Sequence, residues 1–155
     1  MKYKLLTILF VLLTFTIANT KLTQSQNKII RQAKALHKNG LTDEAIEIYY
    51  ELFNQYPNVD EIFSQLKDLL KNKNNHNALD DIASKYIKAN KNSIKSKVEA
   101  FDIYLYNNNR IEWNNILTEI IFNQNFNKNY AKKTLGELLS NDMLSDVLDN
   151  VEKIR

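Results

Sequence analysis

The sequence predicts an all-α protein, and three observations support that fold class. Apolar residues recur at the i, i+4, i+7 spacing of one helix face, as in Ile29, Ala33 and Leu36. The 155 residues include only 2 glycines and 1 proline, too few for the turns of a β protein. No segment alternates apolar and polar residues over the length of a strand.

The periodicity and the turn signals between segments predict eight helices in four antiparallel pairs. Asparagine-rich joints at 72–75 and 107–109 are expected to act as turns, because Asn tolerates left-handed backbone angles and forms local hydrogen bonds. The expected pairs are 23–38 with 42–56, 59–72 with 75–89, 93–107 with 111–124, and 127–139 with 142–154.

Residues 1–18 have the three-part layout of a cleavable export signal. Lys2 and Lys4 precede the apolar run Leu5–Ile17, and a small residue, Ala18, offers a cleavage site. The run is shorter than the roughly 20 residues that span a bilayer. The sequence therefore predicts export, with an uncleaved leader that anchors the protein in a membrane as the alternative.

Charge and cysteine content narrow the class of protein. Two of the +3 net charges belong to the leader residues Lys2 and Lys4, so the composition does not indicate nucleic-acid binding. The chain has no cysteine, which excludes disulfides and attachment of lipid through a thiol. An exported chain of this kind has to hold its fold by packing.

The segment from Ile29 to Pro57 resembles a tetratricopeptide repeat. Small Ala33 lies in its first helix, Gly40 in the turn, aromatic Tyr49 in the second helix, and proline closes it. A shift of 33 residues maps Ala33 onto Leu66 in a second copy, close to the period of about 34 of this repeat class. The resemblance implies a right-handed superhelix of about four antiparallel helix pairs over residues 23–155, an α-solenoid with a concave side lined by first helices. The last pair can cap the stack, and the alternative is the front of a longer array.

Few residues of the chain are suited to catalysis. His37 and His76 lie in different repeats and have no partner at i+3 or i+4, so neither is expected to bind a metal. Gly40 and Gly136 cannot form a phosphate-binding loop. We expect no catalytic residue, no metal, no cofactor and no enzymatic activity.

The candidate binding surface is a basic stripe on the concave side. There the resemblance places Lys34, His37, Lys38, Phe63, Lys67 and Lys71, with Tyr104 as an extension. The shift of 33 residues maps the first two lysines onto the last two. The functional hypothesis is a groove for an acidic, extended peptide or another anionic polymer, with Phe63 as an apolar anchor. The alternative is that lysines at this spacing form a solvated helix face.

The predicted function is a non-catalytic protein–protein interaction module or adaptor, exported to the periplasm or secreted. Its expected partner is a protein or an acidic peptide segment, with no nucleic acid and with membrane contact only through an uncleaved leader. Two alternatives remain open. One is a membrane-anchored structural or spacer protein, and the other is an accessory subunit of an envelope enzyme whose chemistry lies on another chain.

Overall fold

A computed structural model describes residues 22–121, together with Gly136, which is helical and exposed. Residues 22–121 form six α-helices and contain no strand. The helices are α1 (Gln24–Lys38), α2 (Thr42–Gln55), α3 (Asp60–Asn72), α4 (His76–Ala89), α5 (Ile94–Tyr106) and α6 (Arg110–Ile121). This part of the chain confirms the predicted all-α class.

The helix ends agree closely with the sequence-based expectation. Each predicted end between residues 22 and 120 lies within one residue of the observed end. The leader at 1–18 and the fourth pair, 127–139 with 142–154, lie outside the described residues. Within the described range, no helix combines the length and the apolar character that a bilayer crossing requires.

The helices pack mainly on their neighbours in chain order. α1 contacts α2, α2 contacts α3, and the same holds through α5 and α6. One apolar core runs through all six helices, so burial of apolar surface is the main stabilising contribution. The largest side chains with less than 2% exposure include Trp113, Tyr49, Tyr86, Phe53 and Phe63.

Aromatic contacts connect consecutive helices inside this core. The rings of Phe63 in α3 and Tyr86 in α4 stack with centroids 3.8 Å apart and planes 7° apart. Trp113 in α6 meets Phe101 in α5 edge to face at 6.2 Å. Burial, with a smaller contribution from the charge of Glu61, raises the pKa of Tyr49 to about 12.

The turns between α1 and α2, α3 and α4, and α5 and α6 share one geometry. Each contains a left-handed residue, Gly40, Asn74 or Asn108, with φ of 85°, 51° and 54° respectively. Its N–H donates to the carbonyl three residues earlier, and the next N–H donates to the carbonyl five residues earlier, at 2.8–3.0 Å. These are Schellman motifs, which satisfy the last carbonyls of the preceding helix. The expectation that Asn-rich joints act as left-handed turns is confirmed.

The turn residues set a repeat register of 34 residues, because Gly40, Asn74 and Asn108 are each separated by that number. The 33-residue shift inferred from the apolar pattern is therefore wrong by one. The apolar faces are wide enough that both shifts match apolar residues to one another, and only the turns distinguish them. In the first helix Ile30 is buried, whereas Ile29 is 39% exposed.

We expect Gly40→Ala to lower the free energy of unfolding by about 1–2 kcal/mol, because a side chain disfavours the left-handed conformation. A Cβ at this position would meet no atom within 4 Å, so the cost comes from the backbone alone. Urea unfolding followed by circular dichroism measures the difference. Asn74→Gly is the matched control and should leave stability unchanged or higher; an unaltered Gly40→Ala protein would contradict the assignment of the turn.

Candidate binding face

Ion pairs connect the first helix of each pair to the first helix of the next. Lys34 Nζ in α1 lies 2.9 Å from Glu61 Oε1 in α3, and both side chains are 47% exposed. Lys67 Nζ in α3 lies 2.5 Å from Glu99 Oε2 in α5. α1, α3 and α5 are therefore adjacent along one side of the described part of the molecule.

Lys67 occupies a position that is apolar in the other two pairs. In the 34-residue register it corresponds to Ala33 and Phe101, which are both fully buried. Its side chain is only 12% exposed, and its ammonium also lies 3.7 Å from Asp102 Oδ2. The two carboxylates compensate the cost of removing the charge from water.

Lys71 contributes a second contact between α3 and α5. Its Nζ lies 2.8 Å from Asp102 Oδ2 and 4.9 Å from the centroid of the Tyr106 ring, a cation–π distance. The Tyr106 ring also stacks on His76 at 5.5 Å, and its hydroxyl donates to Asn74 Oδ1 at 2.9 Å. Lys71 is thus held between a carboxylate and an aromatic ring.

The row of lysines is consequently an alternating row of charges. Lys34, Lys67 and Lys71 each have a carboxylate partner on the next first helix. Sequence reasoning missed these acidic partners, Glu61, Glu99 and Asp102. They lie 27 to 32 residues away from their lysines in the chain, so only the packing of the first helices reveals them.

His37 and Lys38 lie on the surface at the end of α1. His37 Nδ1 is 3.2 Å from Thr42 Oγ1 in the following helix. Phe63 is 2% exposed and forms the ring stack with Tyr86 described above. This burial leaves Phe63 in the core, where it is not available as a surface anchor.

Tyr104 lies on a different side of α5 from the lysine contacts. Two residues correspond to about 200° around a helix, so Tyr104 points away from Asp102 and the α3 side. It lines a groove between α4 and α6 and is 3% exposed. Burial, followed by the charges of Glu112 and Asp80, raises the pKa of Tyr104. The structure therefore does not bring Tyr104 together with the predicted lysines.

A second polar contact that the sequence did not reveal lies at the start of α3. Asp60 Oδ1 accepts a hydrogen bond of 2.5 Å from the hydroxyl of Tyr86 in α4, and Lys95 in α5 pairs with Asp60 Oδ2. Burial acts to raise the pKa of Asp60, but the hydrogen bonds from Lys95 and Tyr86 and the charge of Lys95 lower it overall. Asp60 thus connects three helices.

A polar cluster joins the turn after α5 to the start of α4. Asp80 accepts hydrogen bonds from the side-chain amides of Asn107 at 2.6 Å and Asn109 at 2.9 Å. The Asn107 amide also donates to the backbone carbonyl of His76 at 2.8 Å. Each of these groups has a structural partner, so the cluster fixes the two pairs relative to each other.

Within residues 22–121, no group of three or more His, Asp or Glu side chains is arranged to hold a metal ion. The comparisons of the chain with protein-family models, with curated proteins and with solved structures give no match. The resemblance to the tetratricopeptide repeat therefore remains a prediction that rests on the residues of the chain.

We expect Lys67→Met to lower the free energy of unfolding by about 1–2 kcal/mol, because it leaves Glu99 and Asp102 facing one another with Lys71 as the remaining cation. Lys34→Met should cost less than about 0.5 kcal/mol, because its pair is exposed. Urea unfolding of both variants provides the measurement. Equal losses would show that the half-buried network has no special weight.

We expect Tyr86→Phe to raise the pKa of Asp60, because the hydrogen bond that favours the charged carboxylate is removed. A carboxyl group with a lowered pKa contributes stability above its unfolded-state pKa, and that stability is lost as the pH falls through the folded-state pKa. Acid unfolding of the variant should therefore begin at a higher pH. A carbon NMR titration of Asp60 reports the pKa, with Tyr56→Phe as the control; identical titration curves would refute the coupling.

Proposed function

We propose that this chain is a non-catalytic protein–protein interaction module, an adaptor built from tetratricopeptide-like helical repeats. The observation that carries the proposal is the 34-residue spacing of three left-handed Schellman turns, Gly40, Asn74 and Asn108. This spacing agrees with the period of the repeat class. Arrays of this class present extended surfaces that bind other proteins.

The proposed architecture is a right-handed superhelix of about four antiparallel helix pairs. Packing of each helix on its chain neighbours supports it, as do the ion pairs that connect α1 to α3 and α3 to α5. Stacked first helices are the arrangement that lines the concave side of such an array. The fourth pair, 127–154, belongs to the proposal on its apolar pattern alone.

The partner surface is centred on α1 rather than spread evenly over three helices. Lys38 has no ion pair among the described residues, and Arg31 donates from Nε to the Asn27 carbonyl. With Lys34 these cations follow the i, i+3, i+7 spacing of one helix face. Lys67 and Lys71 reach a ligand only in competition with Glu99 and Asp102.

The partner is a protein segment that presents carboxylates to this α1 face. Charge complementarity of this kind increases the rate of encounter and fixes orientation more than it adds affinity. A shallow groove of about 440 Å³ beside the cations, lined by Gln24, Asn27, Ile30 and Glu61 among others, gives the segment a surface to lie against. Export to the envelope is part of the proposal and rests on the leader pattern at 1–18.

The test is photo-crosslinking in cells with a benzophenone amino acid in place of Lys38. The matched control places the same probe at Lys91, an exposed lysine in the turn between α4 and α5. We expect a discrete adduct in the envelope fraction from position 38 and none from position 91. Mass spectrometry of the adduct identifies the partner and also the first residue of the chain, expected to be Asn19.

Arg31→Glu combined with Lys34→Glu should reduce that adduct several-fold, because two attractive contacts become repulsive. Both residues are exposed, so the variant should remain folded, which circular dichroism checks. Adducts of equal yield from positions 38 and 91, or an adduct that the charge reversal leaves unchanged, would refute binding at the α1 face.

A further inference from the structure

A groove lies between the second helices of two consecutive pairs, on the side of α5 away from the lysine contacts. One wall is the stripe Ser84, Ile87 and Lys88 of α4, at i, i+3 and i+4. The other wall is a stripe of α6, and Tyr104 of α5 lines the groove between them. The volume is about 520 Å³, enough for several residues of an extended peptide.

The α6 wall carries charged, amide and apolar groups on one face. Its members follow the i, i+3, i+4, i+7 spacing and are Glu112, Asn115, Ile116 and Glu119. The two carboxylates are therefore about 10 Å apart along the helix axis. Ile116 is 5% exposed and, with the half-buried Ile87 opposite, gives the groove an apolar section.

The hydroxyl of Tyr104 has no hydrogen-bond partner among residues 22–121, although the residue is only 3% exposed. Buried polar groups in folded proteins nearly always have a partner, and a missing one requires an explanation. Tyr86 and Tyr106, by contrast, both donate to side chains of neighbouring helices. Because Tyr104 lines the groove, a ligand lying there can supply the missing acceptor.

The charges of the groove indicate the sign of that ligand. The Glu112 carboxylate has no ion pair among the described residues, whereas Glu119 pairs with Lys97 at 2.6 Å. Lys88 is the cation of the opposite wall. The groove therefore carries an uncompensated carboxylate beside the apolar section, which suits a basic side chain next to an apolar one.

We propose that the α4–α6 groove binds an extended segment of a partner protein in which an apolar side chain is next to a lysine or arginine. The apolar side chain packs between Ile87 and Ile116, and the cation pairs with Glu112. A backbone carbonyl of the segment accepts the hydrogen bond from the Tyr104 hydroxyl. This surface is distinct from the α1 face and has the opposite charge preference, so either surface can exist without the other.

The experiment is a titration of the whole chain with two matched peptides, acetyl-Leu-Arg-Leu-amide and acetyl-Leu-Glu-Leu-amide, followed by amide NMR. We expect the arginine peptide to shift the signals of Ile87 and Asn115 in a saturable manner, and the glutamate peptide to leave them unchanged. Glu112→Gln should weaken binding of the arginine peptide about tenfold and remove the preference between the peptides.

Tyr104→Phe separates a binding role of the hydroxyl from a structural one. Because the hydroxyl has no partner in the described part, its removal should leave the unfolding midpoint unchanged or higher while weakening the arginine peptide about three- to tenfold. Tyr106→Phe, on the exposed part of α5, is the control and should leave peptide binding unchanged.

Three results would overturn the proposal: shifts confined to other residues, equal or stronger binding of the glutamate peptide at the groove, or unchanged binding in both the Glu112→Gln and Tyr104→Phe proteins. If Tyr104→Phe failed to fold, Glu112→Gln alone would decide, because Glu112 is exposed. Signals of Arg31 and Lys38 report on the α1 face in the same spectra, so failure of one surface is distinguishable from failure of the other.

Discussion

The arrangement of the described helices depends on the left-handed turn that follows α1, α3 and α5. A residue with positive φ lets two consecutive N–H groups turn back onto the last helical carbonyls, so the helix ends without unsatisfied backbone groups. Glycine adopts this conformation without steric cost, and asparagine is one of the few other residues that tolerate it. Because the turn has a fixed geometry, it also sets which face of the second helix meets the first, and hence which apolar side chains form the core.

Between successive first helices, polar contacts take over part of the role that apolar packing has elsewhere. Lys67 lies where the neighbouring pairs have Ala33 and Phe101, and Glu99 and Asp102 compensate its charge. Asp60 joins α3, α4 and α5 in a similar way through Tyr86 and Lys95. Such contacts add little to stability on average but penalise an incorrect alignment, because a displaced charge would lose its partner. They therefore favour one alignment of the helices over its neighbours.

Local features of the chain were predictable from the sequence, and contacts between repeats were not. Helix ends and the turns at Asn74 and Asn108 follow from short-range signals, namely apolar period and residues that tolerate positive φ. The alignment of the repeats was wrong by one residue because wide apolar faces match in either alignment. That single residue moved Phe63 from surface to core, and Tyr104 from the lysine side to the α4–α6 side. The carboxylate partners of the lysines depend on helix packing, which no short-range signal encodes.

Packing of each helix on its chain neighbours also determines how the folded chain responds to thermal motion and to change over evolution. Most stabilising contacts join segments close in sequence, so little chain entropy is lost before they form, a property associated with rapid folding. In such a linear arrangement the stability is divided among successive interfaces, and opening at one end leaves distant interfaces in place. A duplication or deletion of one 34-residue unit would preserve every type of interface. The length of a chain built in this way is therefore easily altered by recombination, whereas its cross-section is not.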